Sequence, residues 1–147
     1  MYLEIKVVPT LTLNAYEAKD CVGALLTFPV SSANHIKSAT IKRLTITDAA
    51  AQTEKLWLHL FNASPAAAAK TDADECVQVA ADLAKKIVTL YAADTDYDVF
   101  AGDSIATVEY DTAIVFDGLN LYGVLEAEET PDYVAVDDLT VILVLEI

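Results

Sequence analysis

Glycine is scarce in this chain: only Gly23, Gly102, Gly118 and Gly123 occur in 147 residues. Loops that cradle phosphates need several glycines at short spacing, and no GxGxxG, GxxxxGK[ST], GxSxG or HExxH pattern is present. Nucleotide-dependent and serine-hydrolase chemistry therefore has no footing. Basic residues are equally few, nine Lys plus Arg against 23 Asp plus Glu, for a formal net charge of −14. A phosphate backbone or an anionic bilayer would meet repulsion over most of such a surface, which argues against nucleic acid and membrane as partners. Long hydrophobic runs are missing as well. The longest strongly apolar stretch, Val141 to Leu145, is far too short to cross a membrane as a helix.

The two cysteines, Cys21 and Cys76, form no CxxC or Cys/His cluster of the kind that metal sites use. They read as small buried hydrophobes with free thiols. The opening MYLEIKVVPT has no basic region followed by an apolar run and a small-residue cleavage site, so no signal peptide is expected, and assembly in a reducing cytosol follows. Asn62-Ala63-Ser64 fits a glycosylation acceptor but carries no weight without a secretory signal.

What is abundant is hydrophobicity: 54% of residues are apolar. That excludes a disordered chain despite the charge, and the length suits one domain, residues 1–147, with one core. Apolar stretches recur at short steps between Pro, Gly, Asn and Asp clusters, the rhythm of an antiparallel sandwich or barrel of about eight or nine strands. In the terminal LTVILVLEI, Leu139, Val141, Leu143, Leu145 and Ile147 share one face of a strand. A segment this apolar needs pairing on both edges or cover from a neighbouring subunit. Further strands are expected at Tyr2–Val8, Val22–Phe28, Ala39–Thr47, Leu56–Phe61, Lys86–Tyr91, Ser104–Tyr110, Ala113–Phe116 and Asn120–Glu126. Leu56–Phe61 alternates Leu with Trp57, His59 and Phe61, so both its faces are expected to be covered. From Asp72 the spacing of Cys76, Val79, Ala80, Leu83 and Ile87 is helical, after a Thr71 or Asp72 able to cap, and predicts a short helix. Asp117-Gly118 signals a tight turn.

No catalytic constellation is visible, so an enzyme is not expected. His35 and His59 are the only imidazoles, and neither neighbours a nucleophile; His59, between two aromatics on one strand face, reads as a packed or interface histidine. Asp94, Asp96, Asp98 and Asp103 place oxygens at alternate positions as calcium ligation requires, but an EF-hand would need Gly where Val99 stands and Glu where Ile105 stands. A solvated loop is the first reading and a calcium site the second. Glu126, Glu128, Glu129, Asp132, Asp137 and Asp138 flank Pro131 and Tyr133 before the last strand; they read as a solvated loop, or as a negative rim facing a basic patch on a partner. Neither a cofactor nor a metal is assigned.

Four stretches, CVGALLTF (Cys21 to Phe28), IKRLTITDAAAQTEKLWLHLFNASP (Ile41 to Pro65), DADECVQVAADLAKKIV and LYGVLEAEETPDYVAVDDLTVILVLEI, carry a likeness across nearly the whole chain. Thr47, Asp48, Gln52, Phe61, Asn62 and Pro65, then Leu121, Tyr122, Pro131, Tyr133, Asp138 and Leu139, stand in the order of a family pattern. In that order the chain resembles the capsid decoration (cement) and small virion structural proteins of tailed bacteriophages. It departs at Ser31 to Ala39, SSANHIKSA, where a Gly-rich turn would be expected. The resemblance implies an all-β fold with one short helix, a jelly-roll-like antiparallel β-sandwich. It also implies a homotrimer on the outside of a phage head, bound to the major capsid protein. The alternatives are a lectin-like sandwich holding glycan or calcium at Asp94, Asp96, Asp98, Trp57 and Tyr97, and a tail or fibre-base protein.

Overall fold

The computed structural model describes residues 1–30, 37–66, 70–116 and 118–147. It is an all-β sandwich. The strands are β1 (Tyr2–Val7), β2 (Leu26–Pro29), β3 (Ser38–Asp48), β4 (Leu56–Phe61), β5 (Lys86–Ala92), β6 (Tyr97–Phe100), β7 (Asp103–Val115), β8 (Asn120–Ala127) and β9 (Leu139–Glu146), with one four-residue helix, α1 (Ala80–Leu83). One sheet runs β1-β9-β3-β7-β6 and the other β2-β8-β4-β5, and every pairing is antiparallel. The pairing is nested. The first strand pairs with the ninth, the second with the eighth, the third with the seventh and the fourth with the fifth, as if one long hairpin had been wrapped across both layers.

Period-two patterning explains the core. Leu139, Val141, Leu143 and Leu145 of β9 are buried against Ile41, Leu44 and Ile46 of β3 and Ile5 of β1, and meet Leu56, Leu58, Leu60, Phe28, Leu121 and Leu125 of the opposite sheet. The strongly apolar β9 is paired on both edges, by β1 and by β3, as its composition demands. A β-bulge between Ile41 and Arg43 keeps the inward register of β3 on either side of the irregularity. At the end of the sandwich that carries the β8–β9 loop, Tyr16 and Tyr133 are buried edge-to-face, their centroids 6.0 Å apart.

Four sequence expectations need correction. The helical spacing over 72–87 yields the expected short helix only at α1, because residues 72–76 form a turn and a single bridge against residues 19–21: Cys21 N–H donates to the Asp74 carbonyl, Ala73 N–H to Cys21 and Cys76 N–H to Lys19. Asp72 caps no helix; its carboxylate accepts from the Tyr16 hydroxyl and from Gly23 N–H. The two expected strands 104–110 and 113–116 are one thirteen-residue β7, whose polar Glu109 and Asp111 are part of the ladder with β3 or point to solvent beside it. Val22–Phe28 is a strand only from Leu26; Val22 N–H instead donates to Leu125 beyond the break at Gly23. Gly23 has φ +78°, and a Cβ there would stand 2.7 Å from the Cβ of Pro9, so no other residue fits that break. Asp117 of the expected turn, and Ser31 to Ile36 with His35, lie outside the described residues.

Candidate functional site

The clearest departure from the sequence reading is at the cysteines. Cys21 and Cys76 are not free thiols but a disulfide, their Cα atoms 5.0 Å apart beside the Asp20–Glu75 bridge that joins residues 19–21 to 73–76. Their neighbouring hydrogen bonds set that spacing, which falls within the range a disulfide can bridge. The bridge rests on the outer face of the four-stranded sheet, where Cys21, Phe61 and Val124 form a second apolar cluster flanked by Leu25 and Tyr122.

The same face carries His59 and Trp57. His59 is buried, its Nδ1 3.1 Å from the Thr89 hydroxyl and its Nε2 3.7 Å from a Glu126 carboxylate oxygen. That Nε2 is sealed from solvent and makes no hydrogen bond. Covered on its strand and paired with the Thr89 hydroxyl, it is a packed histidine. Trp57 stacks on Tyr91 at 4.2 Å between centroids, and the Tyr91 hydroxyl donates to Glu128. Burial, followed by that hydrogen bond, pushes the Tyr91 phenol up to about 12.

The loops 49–55, 93–96 and 128–138 gather at one end of the sandwich, and several carboxylates in and beside them are committed to backbone. Asp48 accepts from Ala50 and Gln52 N–H, Asp138 from Val134 and Ala135 N–H, and Asp96 from Ala93 N–H. Burial raises Asp48 above the usual carboxylate range in spite of those donors. Gln52 Oε1 accepts from Asp132 N–H and so joins two of the loops. Glu54 is the exception. Its Oε2 is buried with no donor, and burial together with the adjacent Glu129 pushes its carboxyl up to about 7. Glu129 is also bridged to Lys55 at 3.2 Å. Sequence reasoning missed Glu54, because its partner lies in a distant loop.

The structure scatters the glycan and calcium set. Asp94 and Asp96 form a 3₁₀ turn, Asp98 is on the exposed edge strand β6, Tyr97 is buried in the core, and Trp57 stands on the outer face of the other sheet. Among the described residues no three His, Cys, Asp or Glu side chains converge as metal ligands. Of the seven tyrosines, Tyr16, Tyr97 and Tyr133 are buried and unavailable for surface contact. The remaining hollows are shallow. One of about 350 Å³ lies between Thr47, Phe100, Asp103 and Ile105, and another of about 410 Å³ lies between Tyr2, Glu4, Lys42, Arg43 and Glu109. Among the described residues, no helix is long and apolar enough to cross a membrane.

No protein-family model, curated protein or solved structure matches this chain. Function must therefore be argued from the molecule itself.

Proposed function

We propose that this chain is a virion structural protein, a decoration or cement protein that binds the outside of a phage head. The observation that supports this reading is the nested strand pairing across two antiparallel sheets, which we read as jelly-roll-like, an architecture common in viral shells. It also occurs in lectins, but the residues a lectin reading would need are dispersed over the core, an edge strand and the opposite sheet. The mechanism is linkage: a brick that binds only the assembled lattice of major capsid protein stabilises that lattice by mass action, and symmetry multiplies many weak contacts. Self-association, with a trimer favoured, belongs to the same reading. The disulfide accords with a protein that works on released particles, outside the reducing cytosol where it is made.

The test is the copy number per purified particle, followed by heating of particles with and without the protein. Copies on the order of the capsid lattice, and a lower disruption temperature after stripping, support a cement role. A handful of copies would move the protein to the tail or a fibre base. Unchanged thermal and osmotic tolerance after removal would refute stabilisation.

A further inference from the structure

Between β4 and β5 the chain makes a long connection; among its described residues none adds a fully buried side chain to the main core, and only Ala73 packs against it. Within this connection the Lys70–Asp82 ion pair, 2.9 Å long and closed to water, ties one part to another. The connection is tied to the rest of the molecule by the Cys21–Cys76 disulfide, by Asp72, which accepts from the Tyr16 hydroxyl and Gly23 N–H, and by the hydrogen bonds between residues 73–76 and 19–21. Between and beyond them Val77, Val79 and Leu83 are 49%, 42% and 58% exposed, an unusual density of apolar surface on so acidic a chain. The segment 19–22 continues the edge of the four-stranded sheet beside β8: Lys19 N–H donates to Ala127, Ala127 N–H to Asp20 and Val22 N–H to Leu125, and residues 73–76 hydrogen-bond to the far side of that segment through a single bridge, Asp20–Glu75.

We propose that Cys21 and Cys76 form a reversible redox lock on the β4–β5 connection. When oxidised, the lock fixes residues 70–85 and presents Val77, Val79 and Leu83 in one arrangement; when reduced, it frees them while both sheets stay folded. The proposal does not depend on the capsid reading. Its chemistry is thiol–disulfide exchange. An external thiolate attacks Cys76 Sγ, the half-buried sulfur, and Cys21 leaves as thiolate; a second external thiol then resolves the mixed disulfide. The cystine gains two electrons and two protons, and two small thiols are oxidised to one disulfide. Closure runs the same steps backwards, with a small-molecule disulfide as oxidant.

Hydrogen exchange read by mass spectrometry on the full chain, oxidised and then reduced with dithiothreitol, tests this. Amides of residues 70–85 should exchange about tenfold faster or more once reduced, while those of β3 and β9 keep their protection. The doubly substituted Cys21→Ser/Cys76→Ser chain should match the reduced protein. Alkylation gives a second readout: in the Cys21→Ser chain Cys76, carried on a freed connection, should react as readily as it does in the reduced protein. Equal protection of 70–85 in both states would overturn the lock. So would loss of β9 protection together with the connection, because the bridge would then be a global staple. Two titratable thiols per chain under oxidising conditions would overturn it as well.

Discussion

Replacing Lys70 by Met is the sharpest test of how the β4–β5 connection is held. The Lys70 ammonium is wholly covered and donates to the Val77 carbonyl and to Asp82 Oδ2. Asp82 in turn accepts from Ala66 N–H at 2.8 Å and from Val79 N–H at 3.3 Å. Burial alone would raise the Asp82 carboxyl, but those N–H donors and the ammonium outweigh it and hold the group below its ordinary value. Lys70→Met strands that carboxylate without its counter-charge, a loss of about 3–5 kcal/mol for a buried pair. With a urea slope of about 2 kcal/mol/M, about 3 kcal/mol lowers the midpoint by about 1.5 M. Asp82→Leu strands the ammonium and two N–H groups and should cost at least as much. The double substitution removes both charges and leaves only neutral groups unpaired, so it should cost far less than the sum, with a coupling of about 3 kcal/mol. Urea unfolding of the four proteins, read at a common slope, decides it. Additivity to within about 0.5 kcal/mol would refute a coupled buried pair.

Glu54 gives a pH prediction. Its folded pKa of about 7 lies above the unfolded value, so the folded state holds the proton more tightly; stability is highest at acid pH and declines as pH rises toward 7. Glu54→Gln should therefore leave unfolding at pH 5 nearly unchanged and stabilise the protein at pH 8 by on the order of 1 kcal/mol after solvent screening. Thermal unfolding at the two pH values checks this, and a destabilised variant at pH 8 would contradict it. Gly123 lies where a Cβ would stand 2.7 Å from Phe28 Cε2 and 3.1 Å from Leu58 Cδ1. Gly123→Ala should cost about 1–3 kcal/mol by overpacking, and Phe28→Leu in the same chain should return part of it. Equal stability of Gly123→Ala and the parent would mean that Phe28 and Leu58, its neighbours on the flanking strands of the same sheet, give way more readily than their burial implies.

How much could be read in advance follows from which forces are local. Alternation in Leu139–Ile147 and Leu56–Phe61 is a local record of which face meets the core, and both strands occur with those faces inward. The 72–87 stretch misled because period 3.6 reports only spacing. Here a cross-link to Cys21 and hydrogen bonds to Lys19 and Cys21 override it, and Val77, Val79 and Leu83 are left facing water. Strand β6 was invisible in DTDYDVF for a similar reason: four residues of mixed polarity become a strand only by pairing with β7. At the loop end, each acidic residue was legible singly. The pairing of Glu54 with Glu129 was not, since it exists only once β3–β4 and β8–β9 meet.

The charge of the chain acquires a different meaning in the fold. A strongly acidic composition first suggests a negative rim that recognises a basic partner. Yet Asp20, Asp48, Asp72, Asp82, Asp96 and Asp138 all spend carboxylate oxygens on backbone N–H groups of turns and connections. Those donors would otherwise be unpaired at bends that have few glycines with which to relax, so carboxylates do in this chain what glycine-rich turn geometry does in others. Asp94, Asp98, Asp103, Asp132 and Asp137 are exposed, as are Glu4, Glu17, Asp74, Glu75, Glu109, Asp111, Glu128 and Glu129, and Asp94 accepts a hydrogen bond from Thr95 N–H. Recognition by charge thus rests on these exposed carboxylates, while the acidic character of the turns is a consequence of how they fold.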